Sequence, residues 1–487
     1  MQAIRFTLND QDVTVRELPP TTTLLEYLRR ERRLMGTKEG CAEGDCGACT
    51  VAWLDAAADG GATMRSVNSC LVLLPMLHGR RVWTVEGIAG KDGSPHPVQE
   101  ALVQALGSQC GYCTPGVVMT MFEACYRDDL DAPWKVEDQM AGTLCRCTGY
   151  RPINEATRRI AGARPDDDFT AALGDRAATL PALDYRAHGQ RFVRPGSLAQ
   201  LWAVIAEEAE VRFVNGATDL GLAVTKRHET WPCLVCLDGI DALNSVQALG
   251  EPTSGWRIGA GVTLSALEDA LGEAVPPLGR MLRYFGARQI KNRATLGGNL
   301  CNASPIGDMA PVLMALGADA VIAGAGGARR VPLEDFFTGY RQTALAPGEI
   351  LAAVVLSAPD PKARVSAYKV SKRRELDISA VSAGMFVATD DDGVVTSARL
   401  AYGGMAATPA RASAAEAALV GQPWTAATVA AAAAKLAEDF TPMSDHRGSD
   451  WYRGTLAKNL LIGFFEETQT ERAPMLSHWH SGTVEVR

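Results

Sequence analysis

Eight of the twelve cysteines in this 487-residue chain fall into two blocks that end before residue 148, and they constrain its fold more than any other feature. The first block is Cys41-x4-Cys46-x2-Cys49, with Cys70 further on. The second pairs Cys110-x2-Cys113 with Cys145-x-Cys147. C-x4-C-x2-C…C is the spacing of a plant-type [2Fe–2S] site. The loop 36–50 carries Gly36, Gly40, Gly44 and Gly47. Glycine tolerates positive φ, so backbone N–H groups can turn inward toward sulfur. Structural zinc also takes four cysteines, but usually as C-x2-C knuckles in both halves, and the x4 gap and the C-x-C pair fit it poorly. Two different [2Fe–2S] ligand sets are expected, in a chain built to pass electrons over a distance.

That chain is too long for one core, and its length predicts about three domains. Its net charge of −8 argues against a nucleic-acid partner. No stretch approaches 18 uninterrupted apolar residues, so no membrane span is expected. The opening MQAIRFTLNDQDVTV alternates Ile4, Phe6, Leu8 and then Val13, Val15. It reads as a β-hairpin around Asn9-Asp10, not as a signal peptide. A cytoplasmic location is expected, where clustered cysteines bind metal more often than they form disulfides.

The pattern divides into residues 1–90, strand-rich with one helix opened by a Thr23-x-x-Glu26 capping box, and 91–163, all-helical with cysteine pairs at helix ends. Pro115 and Pro152 suit first helical turns. Residues 164–190 mix Pro, Gly, Asp and Ala without a period and read as a linker. A mixed α/β region, 191–360, shows short strands broken by Gly and Asp turns. A last region, 361–475, has strands in SAVSAGMFVAT and VTSARLAYGGM, then an alanine-rich helix after Trp424 and a helix through GTLAKNLLIGFFEE. Cys233 and Cys236 sit in an apolar strand and read as buried small hydrophobes, as does Cys125 on a helix face. The role of Cys301, beside a glycine-rich segment, stays open.

Two further segments suit a phosphate-bearing ligand. Val214-Asn215-Gly216-Ala217-Thr218-Asp219-Leu220-Gly221 ends a strand in small residues whose N–H groups can approach a diphosphate. Thr295-Leu296-Gly297-Gly298-Asn299, with Asp308 beyond it, offers a glycine pair and polar side chains. Neither is a dinucleotide G-x-G-x-x-G, and Gly259-Ala260-Gly261 lacks both the spacing and the expected following helix.

In family order, the motifs GTKEGCAEGDCGACTV, TVEGIAG, HPVQ, GSQCGYCTPG, LCRCTGYRPI, NGATDLG, ATLGGN, NASPIGD, SKRRELDISAV and AYGGMA run through most of the chain. Together they resemble the small iron–sulfur/flavin subunit of the bacterial xanthine dehydrogenases, within the molybdenum hydroxylase family. The resemblance implies a multidomain α+β fold: a plant-ferredoxin-like β-grasp [2Fe–2S] domain, an all-helical [2Fe–2S] domain, and an FAD domain of the vanillyl-alcohol-oxidase type with a C-terminal α/β cap. It implies that Val214–Gly221 and Thr295–Asn299 wrap the FAD diphosphate. By the same likeness Phe285 packs near the isoalloxazine, Asp308 contacts the flavin, and Leu400 and Arg411 fall near two more FAD contacts. Gln109 and Cys147 match positions that touch a molybdopterin, Tyr284 stands at a variable position, and the loop 371–378 lies on the nicotinamide side.

The implied route runs from molybdenum on a partner subunit through Cys110/Cys113/Cys145/Cys147, then Cys41/Cys46/Cys49/Cys70, to FAD and NAD+. The implied reaction is oxidation of hypoxanthine and xanthine to urate, in an (αβ)2 assembly with a molybdopterin-binding large subunit and with no hydroxylation on this chain. Two alternatives stay open. One is the same architecture in a carbon-monoxide, nicotinate or aldehyde dehydrogenase. The other is a partnerless iron–sulfur flavoprotein that oxidises NADH.

Overall fold

The computed structural model describes residues 2–56, 61–174, 179–250 and 254–469. They form two compact units: 2–242 with Thr263–Ala266 and Gly286–Ala294, and Leu243–Val262 with Leu267–Phe285 and 295–469.

The first unit opens with a hairpin, β1 (Ile4–Leu8) and β2 (Gln11–Val15). Asn9 and Asp10 take φ of 50° and 61°, the paired positive values of a type I′ turn. Strands β3 (Thr50–Ala56), β4 (Ala62–Asn68) and β5 (Arg81–Trp83) complete a sheet of order β2-β1-β5-β3-β4. In it β1 and β5 run parallel and the other pairs antiparallel, the mixed β-grasp arrangement. The capping box is formed: Thr23 Oγ1 accepts from Glu26 N, and the Glu26 carboxylate accepts from Thr23 N. It starts α1 (Leu24–Glu26), which continues as a π-helical turn, Tyr27–Glu31.

The helices α2 (Pro97–Gln104), α3 (Thr114–Tyr126), α4 (Pro133–Met140) and α5 (Arg151–Ile160) each carry proline in the first turn. Val117, Met121, Phe122, Ile153 and Ala156 pack as their core.

Residues 164–190 depart from the linker that their composition suggests. Asp167 caps α6 (Asp168–Leu173) by accepting from Phe169 N and Thr170 N. Phe169 then stands edge-on to Trp83 and Phe122 at 5.5 and 4.9 Å. β6 (Leu183–Ala187) pairs antiparallel with β7 (Gln190–Arg194). A six-residue helix is too short to display a period, so tertiary packing decides it. Residues 175–178 of this stretch, and 470–475 of the expected last region, lie outside the described residues.

After α7 (Leu198–Glu207), β8 (Arg212–Val214) leads into α8 (Leu220–Arg227) and β9 (Cys233–Cys236). The sheet order is β6-β7-β9-β8, with β7, β9 and β8 parallel. Every residue of β9 is buried, as Cys233 and Cys236 were read. The segment 286–294 completes this unit. Arg288 Nε meets the fully buried Glu123 at 3.0 Å, and Lys291 meets Asp138 at 3.2 Å.

The second unit holds a five-stranded antiparallel sheet, in the order Val246–Leu249, Gly255–Gly259, Ile350–Ser357, Asp319–Gly324, Gly327–Pro332. A helix, Leu264–Leu271, does follow Gly259-Ala260-Gly261, contrary to the reading of the sequence. The strand before it is paired antiparallel on both sides, so no parallel dinucleotide-binding unit forms. A second sheet, led by Arg364–Val370, Val381–Thr389 and Val395–Gly403, packs against the helices Ala426–Asp439 and Asp450–Glu467. Gly384 is required there: a Cβ would lie 2.3 Å from Pro311 O. No helix among the described residues is long and apolar enough to cross a membrane.

Candidate redox-cofactor sites

The first cysteine set comes together as two pairs, Cys41 beside Cys46 and Cys49 beside Cys70. Backbone N–H groups of Glu43 and Cys46 donate to Cys41 Sγ, each at 3.4 Å. The chain runs so close to sulfur that a Cβ on Gly40 would lie 2.7 Å from Cys46 Sγ. Asn68 Nδ2 donates to Gly44 O at 2.7 Å and holds the loop. Hydrogen bonding from Cys46 draws the Cys41 thiol down to about 5, while its partner is pushed up. Cys49 and Cys70 are 2% and 1% exposed.

The second set pairs Cys110 with Cys147 and Cys113 with Cys145. Cys113 is the residue before α3, while Cys145 and Cys147 shortly precede α5. Thr148 Oγ1 donates to Cys145 Sγ at 3.1 Å, and Cys145 N donates to Tyr150 OH at 3.0 Å. Burial pushes Cys113 up to about 12. Cys110 and Cys147 are exposed. Among the described residues no three His, Cys, Asp or Glu side chains gather as the ligands of one ion would. Four thiols arranged as two pairs suit a two-iron cluster, which takes one pair per iron.

The two loops touch. Leu144 N donates to Cys46 O at 3.0 Å, joining a carbonyl of the first cysteine set to the residue before Cys145 of the second. Gly47, at φ +68°, leaves no room for a Cβ, which would lie 2.1 Å from Gly142 O. Gln289 Nε2 donates to Thr120 Oγ1 at 2.9 Å, with Thr143 Oγ1 at 3.3 Å.

Of the glycine-rich segments, Val214–Gly221 lies in the first unit. Val214 closes β8, Ala217 takes φ of 63°, and Gly221 N donates to Ala217 O at 2.7 Å as α8 begins. Gly216 packs on the backbone of Arg293, where a Cβ would lie 2.0 Å from the carbonyl oxygen. Thr218 is half-buried and Asp219 exposed.

Thr295–Asn299 lies in the second unit, where Thr295 Oγ1 caps the turn Leu296–Cys301 by accepting from Gly298 N at 3.0 Å. A Cβ on Gly297 would lie 2.6 Å from the Ala260 methyl, and Asn299 Oδ1 is buried without a hydrogen-bond partner. Small residues and an unpaired buried acceptor suit an extended polar cofactor such as FAD. Asp308 is buried, with Lys369 Nζ at 2.8 Å and Ser379 Oγ donating at 2.6 Å. The same Lys369 stands 5.9 Å from the centre of the half-buried Phe285 ring. Tyr284 has Arg283 and Arg374, the latter from the loop 371–378, at 5.5 and 5.9 Å from its ring. Leu400 is fully buried, its N–H donating to Glu416. Arg411 is held by Glu334 and Glu416, each at 2.6 Å. Nothing in the sequence singles out Lys369 or Arg293, whose partners lie 61 and 78 residues away.

Four family models match consecutive stretches of the chain. They are a 2Fe-2S iron-sulfur cluster binding domain over 6–74 and a [2Fe-2S] binding domain over 84–158, then an FAD binding domain in molybdopterin dehydrogenase over 186–359 and a CO dehydrogenase flavoprotein C-terminal domain over 366–468. The chain belongs to the molybdenum hydroxylase family. A xanthine dehydrogenase/oxidase of Rattus norvegicus is 34% identical over 456 residues, covering 82% of this chain and 34% of the relative. A xanthine dehydrogenase of Emericella nidulans is 32% identical over 528 residues, covering 95% and 38%. The chain thus spans about a third of the length of the curated relatives it matches. Among solved structures, a cyanide-inactivated Cu,Mo-CO dehydrogenase matches with TM-score 0.52 and 28% identity, over 56% of this chain and 94% of that one. A quinoline 2-oxidoreductase from Pseudomonas putida 86 matches with TM-score 0.51 and 28% identity, over the same shares. This member of the molybdenum hydroxylase family transfers electrons by way of 2Fe-2S centres and FAD.

Proposed function

We propose that the chain is the electron-transfer and NAD+-reducing subunit of a xanthine dehydrogenase, working with a molybdopterin-binding subunit as (αβ)2 in the oxidation of hypoxanthine and xanthine to urate. The observation that carries this reading is the exposure of two cysteines of the second set. Cys110 and Cys147 face outward, among the exposed apolar side chains Leu106 (81%), Tyr112 (49%), Leu144 (37%) and Tyr150 (37%). An apolar rim around an open redox site suits a second polypeptide that brings its own cofactor there.

In this reading Cys41, Cys46, Cys49 and Cys70 hold one [2Fe–2S] cluster and Cys110, Cys113, Cys145 and Cys147 the other. Gln109 and Cys147 face the molybdopterin of the partner. When bound, the clusters carry single electrons and FAD pairs them for NAD+. The residues 214–221 and 295–299 hold the FAD diphosphate, Phe285 lies by its ring system, and Asp308, fixed by Lys369 and Ser379, presents a carboxylate to it. Leu400 and Arg411 complete the flavin side, with the loop 371–378 flanking the nicotinamide. All twelve cysteines are unbridged, in keeping with a reducing compartment such as the cytoplasm.

A second reading keeps this architecture but serves another hydroxylase, since the C-terminal family model is that of a CO dehydrogenase flavoprotein. The test is co-purification of the native protein with metal, flavin and subunit analysis, followed by reduction with hypoxanthine or with NADH. About four irons and one FAD per chain, a molybdenum-bearing partner and bleaching by hypoxanthine are expected. Bleaching by NADH but never by hypoxanthine, with the partner present, sinks the xanthine reading. Zinc in place of iron overturns the cluster assignment.

A further inference from the structure

Arg293 is 5% exposed, yet no carboxylate among the described residues forms an ion pair with it. Its Nη2 donates to the carbonyl of Asn215 at 3.0 Å, its Nε is buried without a partner, and its guanidinium lies 4.8 Å from the Trp53 ring centre. The nearby carboxylates are engaged by other arginines. Asp238 is taken by Arg194 at 2.8 Å and Arg80 at 3.2 Å, and Asp55 by Arg80 at 3.3 Å. Among the described residues, three guanidinium groups therefore face two carboxylates, leaving one positive charge in excess. Burial, and then Arg80, pull the Arg293 pKa below the ordinary arginine value, as expected of a cation short of counter-charge. A buried cation without a counter-ion is costly and persists where something offsets it.

We propose that Arg293 is the positioning residue of the loop 214–221: its guanidinium fixes the Asn215 carbonyl and supplies the surplus positive charge that a bound FAD diphosphate offsets. This rests on the FAD reading of that loop. The side chain acts in two ways. Through its hydrogen bond it sets where the strand β8 ends and the N–H groups of 216–219 begin to turn. Through its charge it makes the loop root favourable for an anion. The backbone of the same residue also buttresses the loop, since Gly216 packs against its carbonyl.

The test measures FAD affinity of the full chain by flavin fluorescence, with iron content and the visible circular dichroism of the clusters read on the same samples. Arg293→Met is expected to weaken FAD about tenfold or more, because a hydrogen bond from a charged group is lost, while both cluster signals stay unchanged. Arg293→Lys, which keeps charge and donor, is expected to recover most of the affinity. Asp55→Asn removes a counter-charge at a partly exposed position and is expected to tighten FAD about twofold, which keeps the proposal testable should Arg293→Met fail to fold. Wild-type affinity in Arg293→Met, a lysine variant as weak as the methionine one, or weaker FAD in Asp55→Asn each overturns the proposal and leaves the FAD reading standing. A wild-type chain that takes up no FAD overturns that reading as well.

Discussion

The two cysteine sets each bring four thiols together as two pairs and differ in how much protein covers them. Around the first, Cys49 and Cys70 are sealed, and a Cβ on Gly44 would meet Leu71 and Ile290 at 2.6 and 3.0 Å. Around the second, Gly111 and Gly149 also take positive φ, yet a Cβ on either would meet nothing within 4 Å. The two loops use glycine for different reasons: close packing in one, backbone conformation in the other. A sealed centre is insulated from water and from partners, whereas an open one needs a partner to exclude water. In the proposed reading, that difference puts the partner subunit at the second set.

The largest effects should come from removing a proposed cluster ligand. Cys49→Ser and Cys147→Ser are each expected to lose about two of about four irons and one of two paramagnetic signals on reduction. They should part in stability, since serine at Cys49 enters a buried apolar cluster with Leu25 and Leu71, while serine at Cys147 stays at the surface. Equal losses of thermal stability would erase the distinction between sealed and open.

Next comes Glu123 of α3, fully buried against the segment 286–294. Burial alone would raise its pKa, but Arg288, Arg127 and Arg65, with the Ser66 hydroxyl, hold it at about 2. A depressed carboxylate stabilises fully above its ordinary range near 4.5, and that contribution is lost as pH falls toward 2. Glu123→Gln is therefore expected to lower unfolding free energy by about 3–5 kcal/mol at pH 7, since it removes the buried carboxylate that Arg288, Arg127 and Arg65 surround. The gap from wild type should shrink below pH 4.5. Urea midpoints measured at pH 7 and in the acid range check both parts, and a pH-independent gap would remove the ion pair from the account.

Much of this was legible in the sequence because the information is local. Ligand spacing, the Thr23 capping box, the Asn9-Asp10 turn and the buried Cys233–Cys236 strand are each set by neighbours a few residues apart. What stayed hidden is long-range. Glu123 gains its partners from residues 57 and 165 positions away, and Asp308 from residues 61 and 71 away. Residues 164–190 misled for a related reason: Phe169 and Tyr185 become ordered through aromatic and strand contacts that no local period announces. The burial of Cys49 and Cys70 and the exposure of Cys110 and Cys147 were likewise invisible, since both loops carry glycines beside their cysteines.

A glycine pair sharpens the contrast more finely. Gly47→Ala places a Cβ 2.1 Å from Gly142 O at a positive φ, against backbone that cannot swing away, and is expected to cost about 3 kcal/mol or more. Gly111→Ala meets no atom and should cost only the conformational strain, about 1 kcal/mol. Denaturant midpoints of the two variants compare them directly. Similar costs would mean that the second loop is covered after all.

The smallest effect is electronic. Thr148 Oγ1 donates to Cys145 Sγ at 3.1 Å and accepts from Tyr150 N at 3.2 Å, so it ties that sulfur to the turn that opens α5. A donor to sulfur favours the reduced, more negative form of a cluster, so Thr148→Ala should lower the potential of the second centre. A hydrogen bond of about 1 kcal/mol corresponds to about 40 mV for one electron. Thr148→Ser keeps the hydroxyl and should stay near wild type. The potential of the first centre should not move in either variant, because its sulfurs take their own donors from Glu43 and Cys46. Redox titration followed by the two paramagnetic signals reads both centres in one sample. A shift shared by both would show that the contact from Leu144 to Cys46 transmits more than packing, and the two sets would then have to be treated as one electronic unit.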